Sequence, residues 1–552
     1  MPRRRAKIGY VLRFDRYNLT DTAQDFFLSV LKATSNKREA KSYLQRFTPP
    51  RPSQAQYQPG ALPRNLATKS AVLNTVLSGK EENFVNGTDP SVQEVGKFTV
   101  PGEELHVALV KIRDVGAIDD LTLQGVGRTL GQLKRLGLMT IVVVDEPQTE
   151  GWRKRAGELA ERLVAAIENQ RGKARRVDDA MCAKADGQLE VCTPDLLLAP
   201  LFRGMIPVVL PLAVSSTNHI IYADPYDTVL ALTKSLASSA TDDLSLERLI
   251  FIDPLGGIPA PDRPSGAHVF VNMQQEYSDI HSSLQHDPAF TPHLRALETL
   301  RECLAILPPT VSAIITTPTA ASSARVPHRS KNPLIHNLLT DKPVFSSSLP
   351  TDYSPATQTT LLKHGTPLKL FPGGTKLTDP AIDLKKLVAL IEDSFNKKLD
   401  VEHYLTRVND CIAGVIIAGD YDGAAILTNE TPTSNPSQKV CYLDKFAVAK
   451  RAQGVGGVAD VVFKAMVAST SKGGFMEEAE GIVWRSRRNN PVNRWYFARA
   501  RGTYKLKGGG DKWTMFWTTG EAATVRKRFS EYKQVCAGIE PSLRDKHGGG
   551  GE

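Results

Sequence analysis

The sequence predicts two α/β domains in tandem, a three-layer domain around a parallel sheet followed by an α+β domain with a mixed sheet. Between residues 97 and 370, short apolar runs alternate with helical patterns, which is typical of a parallel sheet covered by helices. Between residues 379 and 536, an amphipathic helix precedes several strand-like runs, a glycine-rich turn and a second helix. Residues 1–96 are predicted to form a helical extension with a linker, and residues 537–552 a flexible tail.

The composition argues against several classes of protein. It has 41 % hydrophobic and 23 % charged residues, as ordinary globular domains do, and no apolar run reaches the roughly 18 residues of a membrane span. The net charge of +10 is not gathered into basic tracts, so we expect anionic small molecules rather than nucleic acid as partners. The six cysteines lack metal-ligand spacing, and we predict buried thiols and no metal site.

In the first domain, apolar runs predict strands and apolar residues at helical spacing predict helices. The predicted strands are 106–112, 138–144, 206–210, 249–253 and 311–315. The predicted helices are 121–136, 150–171, 225–238 and 293–307. Helices between consecutive strands favour parallel pairing, because a parallel crossover needs a long connection.

In the second domain, a helix is predicted at 383–399 and strands at 411–418, 423–428 and 440–448. The last strand leads into the turn Arg451-Ala-Gln-Gly-Val-Gly-Gly457 and a helix. Glycines let the main chain approach a ligand, and the N-terminus of a helix favours an anion. The turn fits neither the dinucleotide pattern nor the P-loop pattern, so we predict that it binds the pyrophosphate of another cofactor.

The pattern Arg451-x-x-Gly454-x-Gly456 resembles the acyl-CoA signature of the GNAT acetyltransferases. The resemblance implies acetyl-CoA as a co-substrate and no permanently bound cofactor. It places the pantetheine on the open strand edge formed by Phe446, Ala447 and Val448. It places the pyrophosphate on main-chain N–H groups of Gln453, Gly454, Val455, Gly456 and Gly457.

Two further motifs indicate a particular family of acetyltransferases. They are Tyr442-Leu-Asp-Lys-Phe446 and Trp484-Arg-Ser-Arg487, the second followed by N-x-x-N-x-WYF. Together they resemble the acetyltransferase domain of the fungal and animal N-acetylglutamate synthases. The resemblance implies synthesis of N-acetyl-L-glutamate from acetyl-CoA and L-glutamate, the first step of arginine biosynthesis. It also implies a mitochondrial matrix location, inhibition by arginine, a homo-oligomer such as a tetramer, and an association with acetylglutamate kinase. The basic N-terminus lacks a full transit-peptide pattern, so we expect that peptide to be absent or trimmed.

The candidate substrate residues are cations and an amide. Glutamate carries two carboxylates, which cations and amide donors bind, and a guanidinium can bind a carboxylate through two parallel hydrogen bonds. The resemblance assigns Lys445, Arg485 and Asn490 to the substrate, with Lys397 at a further position on the substrate side.

Acetyl transfer also needs an acid for the leaving thiolate and a base for the ammonium. The resemblance assigns the acid role to Tyr496, whose alternative role is a core aromatic beside Trp495. For the base, a carboxylate, a neutral Lys397 and a chain of waters all stay open. We expect direct transfer, without an acyl intermediate on Cys441.

The first domain has its own resemblance. Its stretches 203–211, 220–224 and 249–259 resemble the amino-acid kinase fold, particularly acetylglutamate kinase. The two phosphate-binding loops of that fold are replaced by Lys111-Ile-Arg-Asp114 and Asp145-Glu-Pro-Gln148, where acidic side chains and a proline oppose phosphate binding. We therefore predict a regulatory domain without phosphoryl transfer. The alternatives are a kinase with a regulatory GNAT domain, and a non-catalytic regulator that binds ligands with both domains.

Overall fold

The computed structural model describes residues 104–238, 244–260, 266–322, 331–350, 356–453, 457–471, 473–506 and 512–544. The predicted extension over residues 1–96 lies outside these ranges, as does the end of the predicted tail from residue 545. None of the described helices is both long enough and apolar enough to cross a membrane.

The first domain alternates strands and helices as predicted, and each predicted element is present. Further strands and helices that were not predicted lie between them. Most have three to eight residues, too few for a clear period, but the helix Met273–Gln285 has 13 and was missed. In chain order the elements are β1 (Leu105–Arg113), α1 (Asp120–Arg135), β2 (Leu138–Asp145), α2 (Trp152–Glu168), β3 (Ala174–Val177), β4 (Met181–Ala183), β5 (Leu189–Val191), α3 (Asp195–Phe202), β6 (Ile206–Val209), β7 (Leu212–Val214), β8 (Ile220–Tyr222), α4 (Pro225–Ser238), β9 (Leu244–Ile252), β10 (Phe270–Asn272), α5 (Met273–Gln285), α6 (Thr291–Ile306), β11 (Ser312–Thr316), α7 (Pro318–Ala321), α8 (Pro333–Thr340) and β12 (Thr360–Lys363).

An eight-stranded sheet forms the middle layer of this domain, in the order β10-β12-β11-β9-β1-β2-β6-β3. All neighbours are parallel except β11 and β12. Alternate residues of β1 enter two different cores, since Val107 and Leu109 face α4 and α6, whereas Ala108 and Val110 face α1 and α2. Helices therefore cover both faces, and the predicted three-layer fold is confirmed.

The loops predicted to have lost phosphate binding hold buried ion pairs. Lys111 is 1 % exposed, and its ammonium donates to the carboxylate of Asp145 at the end of β2. The same ammonium lies 4.0 Å from the ring centre of Tyr226. Nearby, Arg113 pairs with Asp253 at 3.3 Å. These charges compensate one another at the carboxyl ends of β1, β2 and β9.

The second domain contains a mixed sheet, as predicted. Its elements in chain order are β13 (Leu368–Pro372), α9 (Leu384–Phe395), β14 (Lys398–Leu399), α10 (Val401–Val408), β15 (Ile412–Ala418), β16 (Gly423–Glu430), β17 (Val440–Val448), α11 (Val458–Ala468), β18 (Val483–Arg487), α12 (Asn493–Phe497), β19 (Gly502–Lys505), β20 (Trp513–Trp517), α13 (Ala522–Gly538) and β21 (Leu543–Arg544). The sheet order is β13-β15-β16-β17-β18-β20-β19, and only β17 and β18 run parallel.

Two boundaries differ from the prediction. Strand β13 lies partly inside the predicted first domain, but it pairs with β15 and belongs to the second sheet, whereas β12 belongs to the first. The sheets therefore change between Lys363 and Leu368. Part of the predicted tail is also structured, because Leu543 and Arg544 pair with Leu399 and Lys398. Such pairings join distant segments and leave no local pattern.

The prediction that all six cysteines are buried thiols is wrong for two of them. Cys182 and Cys192 form a disulfide across the β4–β5 hairpin, which brings residues ten positions apart side by side. The other four cysteines are free thiols. Cys303, Cys441 and Cys536 are buried as predicted, whereas Cys411 is partly exposed.

Because α1 packs closely on α2, we predict that alanine substitutions at two glycines of α1 change the stability in opposite directions. A Cβ on Gly127 would lie 2.7 Å from the carbonyl oxygen of Ala166, whereas a Cβ on Gly131 meets nothing within 4 Å. Gly127→Ala should lower the free energy of unfolding by about 1–3 kcal/mol because the helices must move apart. The matched control Gly131→Ala should raise it by up to about 1 kcal/mol through helix propensity. Thermal unfolding midpoints that ranked the two variants in the other order would contradict this packing.

Candidate active site

Strands β17 and β18 separate soon after they meet. Within the described residues, the two strands pair at Tyr442, which lies opposite Val483. On its other side, β17 remains paired with β16 as far as Val448. The last residues of β17 therefore present an edge that faces an opening in the sheet, at the place predicted for the pantetheine.

A β-bulge in β17 accounts for this separation. Ile426 of β16 faces Lys445, whereas the next residue, Leu427, faces Leu443, so Asp444 is an extra residue on β17. A bulge bends the strand that carries it and increases its local twist. The bulge lies between the pairing with β18 and the open edge.

A cavity of about 780 Å³ occupies the space between the two strands. It is lined by these predicted site residues: Lys397, Lys445, Phe446, Val448, Gln453, Gly457, Arg485, Asn490 and Tyr496. The side chain of Ala447 packs into the core on the opposite face of the sheet. Gly454, Val455 and Gly456 lie outside the described residues. Predicted site residues up to 99 positions apart along the chain, from Lys397 to Tyr496, thus meet around one space.

Lys445 belongs to a buried cluster of charges. Its ammonium donates to the carboxylate of Asp444 at 2.6 Å and lies 4.6 Å from the ring centre of Tyr404. The guanidinium of Arg407 pairs with the same carboxylate and with Glu430 at 3.2 Å. The Asp444 side chain is 2 % exposed, so its charge is compensated almost entirely by these two cations.

Burial and charge pairing shift the pKa values of this cluster in opposite directions. Burial acts to raise the pKa of Asp444, but Lys445 and Arg407 hold that pKa below its ordinary value, so the carboxylate stays ionised at neutral pH. Burial lowers the pKa of Lys445, and the nearby carboxylate only partly offsets it. Lys445 is therefore a cation that loses its proton more readily than a surface lysine.

Arg485 reaches from β18 to the end of α13. Its guanidinium donates to the carbonyl of Cys536 at 2.5 Å and to the carbonyl of Ile539, and it lies 4.4 Å from the ring centre of Trp513. Carbonyls at the C-terminus of a helix lack partners within the helix, and a cation there is favoured by the helix dipole. Arg485 thus borders the cavity and also fixes the chain after α13, where residues 540–543 form another part of its wall.

Asn490 and Lys397 line the cavity from two different parts of the domain. Asn490 follows β18, and its side-chain amide donates to the Ser486 hydroxyl at 2.8 Å and accepts from the Val492 N–H at 3.0 Å. These two hydrogen bonds stabilise the conformation of the turn that leads into α12. Lys397 follows α9, directly after Asn396, whose left-handed conformation ends that helix.

Tyr496 sits among aromatic rings on the cavity wall. Its ring centre lies 5.4 Å from that of Trp484 and 5.6 Å from that of Phe516. Burial raises the pKa of its phenol, so the hydroxyl keeps its proton at neutral and moderately alkaline pH. Tyr496 is thus a core aromatic and a protonated phenol at the cavity, and the two roles considered for it are compatible.

The glycine turn leads directly to a helix N-terminus at the cavity. Gly457 has a φ of 69°, a left-handed conformation that suits glycine, and it precedes the first residue of α11. Ahead of the turn, the main-chain N–H of Val448 donates to Ser394 at 3.1 Å, and its carbonyl accepts from the Gln453 side chain at 3.0 Å. The end of the open edge is thereby held by side chains instead of by another strand.

The structure provides no support for a cysteine or metal mechanism among the residues it describes. Cys441 is buried, and burial raises the pKa of its thiol to about 12, so almost no thiolate exists at neutral pH. Within the described ranges, no three His, Cys, Asp or Glu side chains are grouped to hold a metal ion.

Sequence reasoning missed several residues of the site. Asp444 could have been found, because a carboxylate inside an apolar strand has to be compensated. Lys342 of the first domain and residues 540–543 also line the cavity, but no local pattern indicates that they reach it.

Two comparisons report which known proteins this chain resembles. The family described as the N-acetyltransferase of N-acetylglutamate synthase matches residues 373–537. Among solved structures, N-acetylglutamate synthase from Neisseria gonorrhoeae, in complex with coenzyme A and N-acetyl-glutamate, is 15 % identical. It has a TM-score of 0.43 and covers 76 % of this chain and 96 % of its own.

Curated relatives extend along nearly the whole chain. The mitochondrial amino-acid acetyltransferase of Aspergillus oryzae is 40 % identical over 98 % of this chain and 94 % of its own. That of Botryotinia fuckeliana is 39 % identical over 95 % of this chain and 89 % of its own. The predicted enzyme class and mitochondrial location are thereby confirmed, and the chain belongs to the family of mitochondrial amino-acid acetyltransferases.

Proposed function

We propose that the enzyme transfers the acetyl group of acetyl-CoA to the α-amino group of L-glutamate, giving N-acetyl-L-glutamate and CoA in the mitochondrial matrix. The observation that carries this proposal is the single cavity where an open strand edge and a helix N-terminus meet a wall that contains Lys397, Lys445 and Asn490. The strand edge and helix suit the pantetheine and pyrophosphate of acetyl-CoA. The ammonium and amide groups suit a substrate with two carboxylates.

The proposed reaction is direct. The neutral amine of glutamate attacks the thioester carbonyl, and a main-chain N–H of the open edge polarises the carbonyl oxygen. When the tetrahedral intermediate collapses, the C–S bond breaks and the thiolate of CoA takes a proton from the Tyr496 hydroxyl. The nitrogen of the intermediate gives up its second proton to the resulting tyrosinate, directly or through water, which restores the phenol. The proton lost by the ammonium passes to Lys397, to a carboxylate or to water. Asp444 is a poor candidate for that carboxylate, since its two cations favour the ionised form.

The first domain is proposed to regulate this reaction. The ion pair of Lys111 with Asp145 disfavours the alternative of a working kinase. Arginine is the proposed inhibitor, because the product lies at the start of its synthesis. A homo-oligomer such as a tetramer and an association with acetylglutamate kinase are further parts of the proposal.

Release of free thiol from acetyl-CoA tests the proposed function. The full chain should release CoA in proportion to added L-glutamate, with much slower release for L-aspartate and L-glutamine. Mass spectrometry should detect N-acetylglutamate in equal amount. A folded protein that binds CoA but releases none with glutamate would favour the non-catalytic alternative, and ATP-dependent phosphorylation of N-acetylglutamate would favour the kinase.

Tyr496→Phe removes only the phenolic hydroxyl. If that hydroxyl protonates the leaving thiolate, kcat should fall about 100-fold while the KM of each substrate stays within about twofold. Tyr504→Phe is the matched control, because Tyr504 packs against Phe529 in another part of the domain. An unchanged kcat for Tyr496→Phe would assign the proton to another donor.

The lowered pKa of Lys445 predicts a pH dependence. N-acetylglutamate has no titrating amine and both its carboxylates are ionised above pH 6, so its affinity reports on the protein. Only the protonated lysine attracts a carboxylate, so calorimetric affinity should fall with rising pH once that pKa is passed, by up to about tenfold per pH unit. Lys445→Arg keeps its charge and should show a flatter profile, whereas Lys376→Met, at an exposed pair with Asp410, should behave as wild type. Parallel profiles for wild type and Lys445→Arg would remove Lys445 from this role.

A further inference from the structure

Residues 341–348, here called the linking segment, belong to the first domain and contact the second domain beside the cavity. At its start, the Asp341 carboxylate accepts from Arg248 of β9 at 3.2 Å and from the ammonium of Lys363 of β12. Arg248 is 2 % exposed, so this end is fixed inside the first domain. The next residue, Lys342, lines the cavity of the second domain.

The other end of the linking segment enters a buried polar network of the second domain. The guanidinium of Arg499 donates to the Ser348 hydroxyl at 2.6 Å and to the Ser346 hydroxyl at 2.7 Å. It also pairs with the Asp460 carboxylate at 2.8 Å. Both serine hydroxyls donate to the same carboxylate oxygen, at 3.0 Å from Ser346 and 2.5 Å from Ser348. One carboxylate oxygen is thus shared by a cation and two hydroxyls.

Asp460 occupies an unfavourable place for an enzyme that binds a pyrophosphate. It is in the first turn of α11, the helix that follows the glycine turn, and it lines the cavity. A carboxylate there repels phosphates and offsets the favourable end of the helix dipole. Arg499, with a side chain only 6 % exposed, compensates that charge. Its guanidinium also lies 3.8 Å from the ring centre of Trp495, another residue of the cavity wall.

Two further contacts hold α11 against the first domain. Lys464 of α11 pairs with Glu276 of α5 at 2.5 Å, and Val461 packs into a core of the first domain. The placement of α11 therefore depends on the first domain on one side and on the acetyltransferase sheet on the other.

We propose that Ser346 and Ser348 are positioning residues for acetyl-CoA: they hold Asp460 against Arg499, so that the N-terminus of α11 accepts phosphate. A movement of the first domain that withdraws the linking segment frees the carboxylate and weakens acetyl-CoA binding. The first domain can in this way change the affinity of the acetyltransferase site for acetyl-CoA. The inference rests on the proposed use of acetyl-CoA by this cavity.

Calorimetric titration of the full chain with CoA tests this role without requiring turnover. The double variant Ser346→Ala/Ser348→Ala should bind CoA about five- to tenfold more weakly at low ionic strength, because the carboxylate loses two hydrogen bonds that restrain it. The loss should shrink in about 0.5 M salt, which screens charge repulsion. The matched control is Ser347→Ala, since Ser347 lies between the two serines and is 5 % exposed, close to the 7 % of Ser348.

A rescue variant separates this role from a merely structural one. Adding Asp460→Asn to the double variant removes the repelling charge and should return CoA affinity to within about twofold of wild type. A contact needed only for folding would not be restored in this way. In kinetic assays, the KM of acetyl-CoA should rise in the double variant while the KM of glutamate stays within about twofold.

Two results would overturn the inference: unchanged CoA affinity in the double variant, or weaker affinity that Asp460→Asn does not restore. Failure of the proposed function gives a different pattern. In that case the wild type releases no thiol with glutamate, while its CoA affinity still responds to the serines and to Asp460.

Discussion

The acetyltransferase site depends on one irregularity, the extra residue at Asp444 that bends β17 away from β18. A regular parallel pair would close the sheet, and the main-chain groups of the last residues of β17 would bond to a neighbouring strand. The bulge leaves that edge of β17 open ahead of Val448, whose N–H and carbonyl bond to the side chains of Ser394 and Gln453. Because main-chain polar groups need partners, the edge is suited to an extended ligand such as a pantetheine arm. The cavity lies in that opening and is also lined by the first residues of α11.

Charge compensation is the second feature of the site. Asp444 is balanced by Lys445 and Arg407, and Asp460 is balanced by Arg499. Buried ion pairs are a weak source of stability, because the cost of removing charges from water offsets much of their attraction. They do fix the position of charged groups, and removal of one partner leaves the other uncompensated. Both of these carboxylates, Asp444 and Asp460, line the cavity.

The two domains differ at the places where their folds would bind phosphate. The acetyltransferase domain keeps a glycine turn at a helix N-terminus, whereas the kinase-like domain has placed Lys111 and Asp145 in contact where its phosphate loops lie. In this ion pair the carboxylate of Asp145 compensates the charge of Lys111, and the strands that carry the two residues stay paired. Arg248 and Lys363 attach the linking segment to the same sheet. A movement of the first domain would therefore also move the linking segment beside the cavity.

The sequence by itself determined the order of the elements and the chemistry of the second domain. Apolar periodicity is local, and the motifs around Lys445, Arg485 and Tyr496 are contiguous, so both can be read along the chain. Only the tertiary structure decided which distant groups meet. It placed β13 in the second sheet, joined Cys182 to Cys192, directed Arg485 to the carbonyls after α13 and brought Ser346 to Arg499. These contacts depend on strand register and on the bend at Asp444, and neither leaves a periodic signal in the sequence.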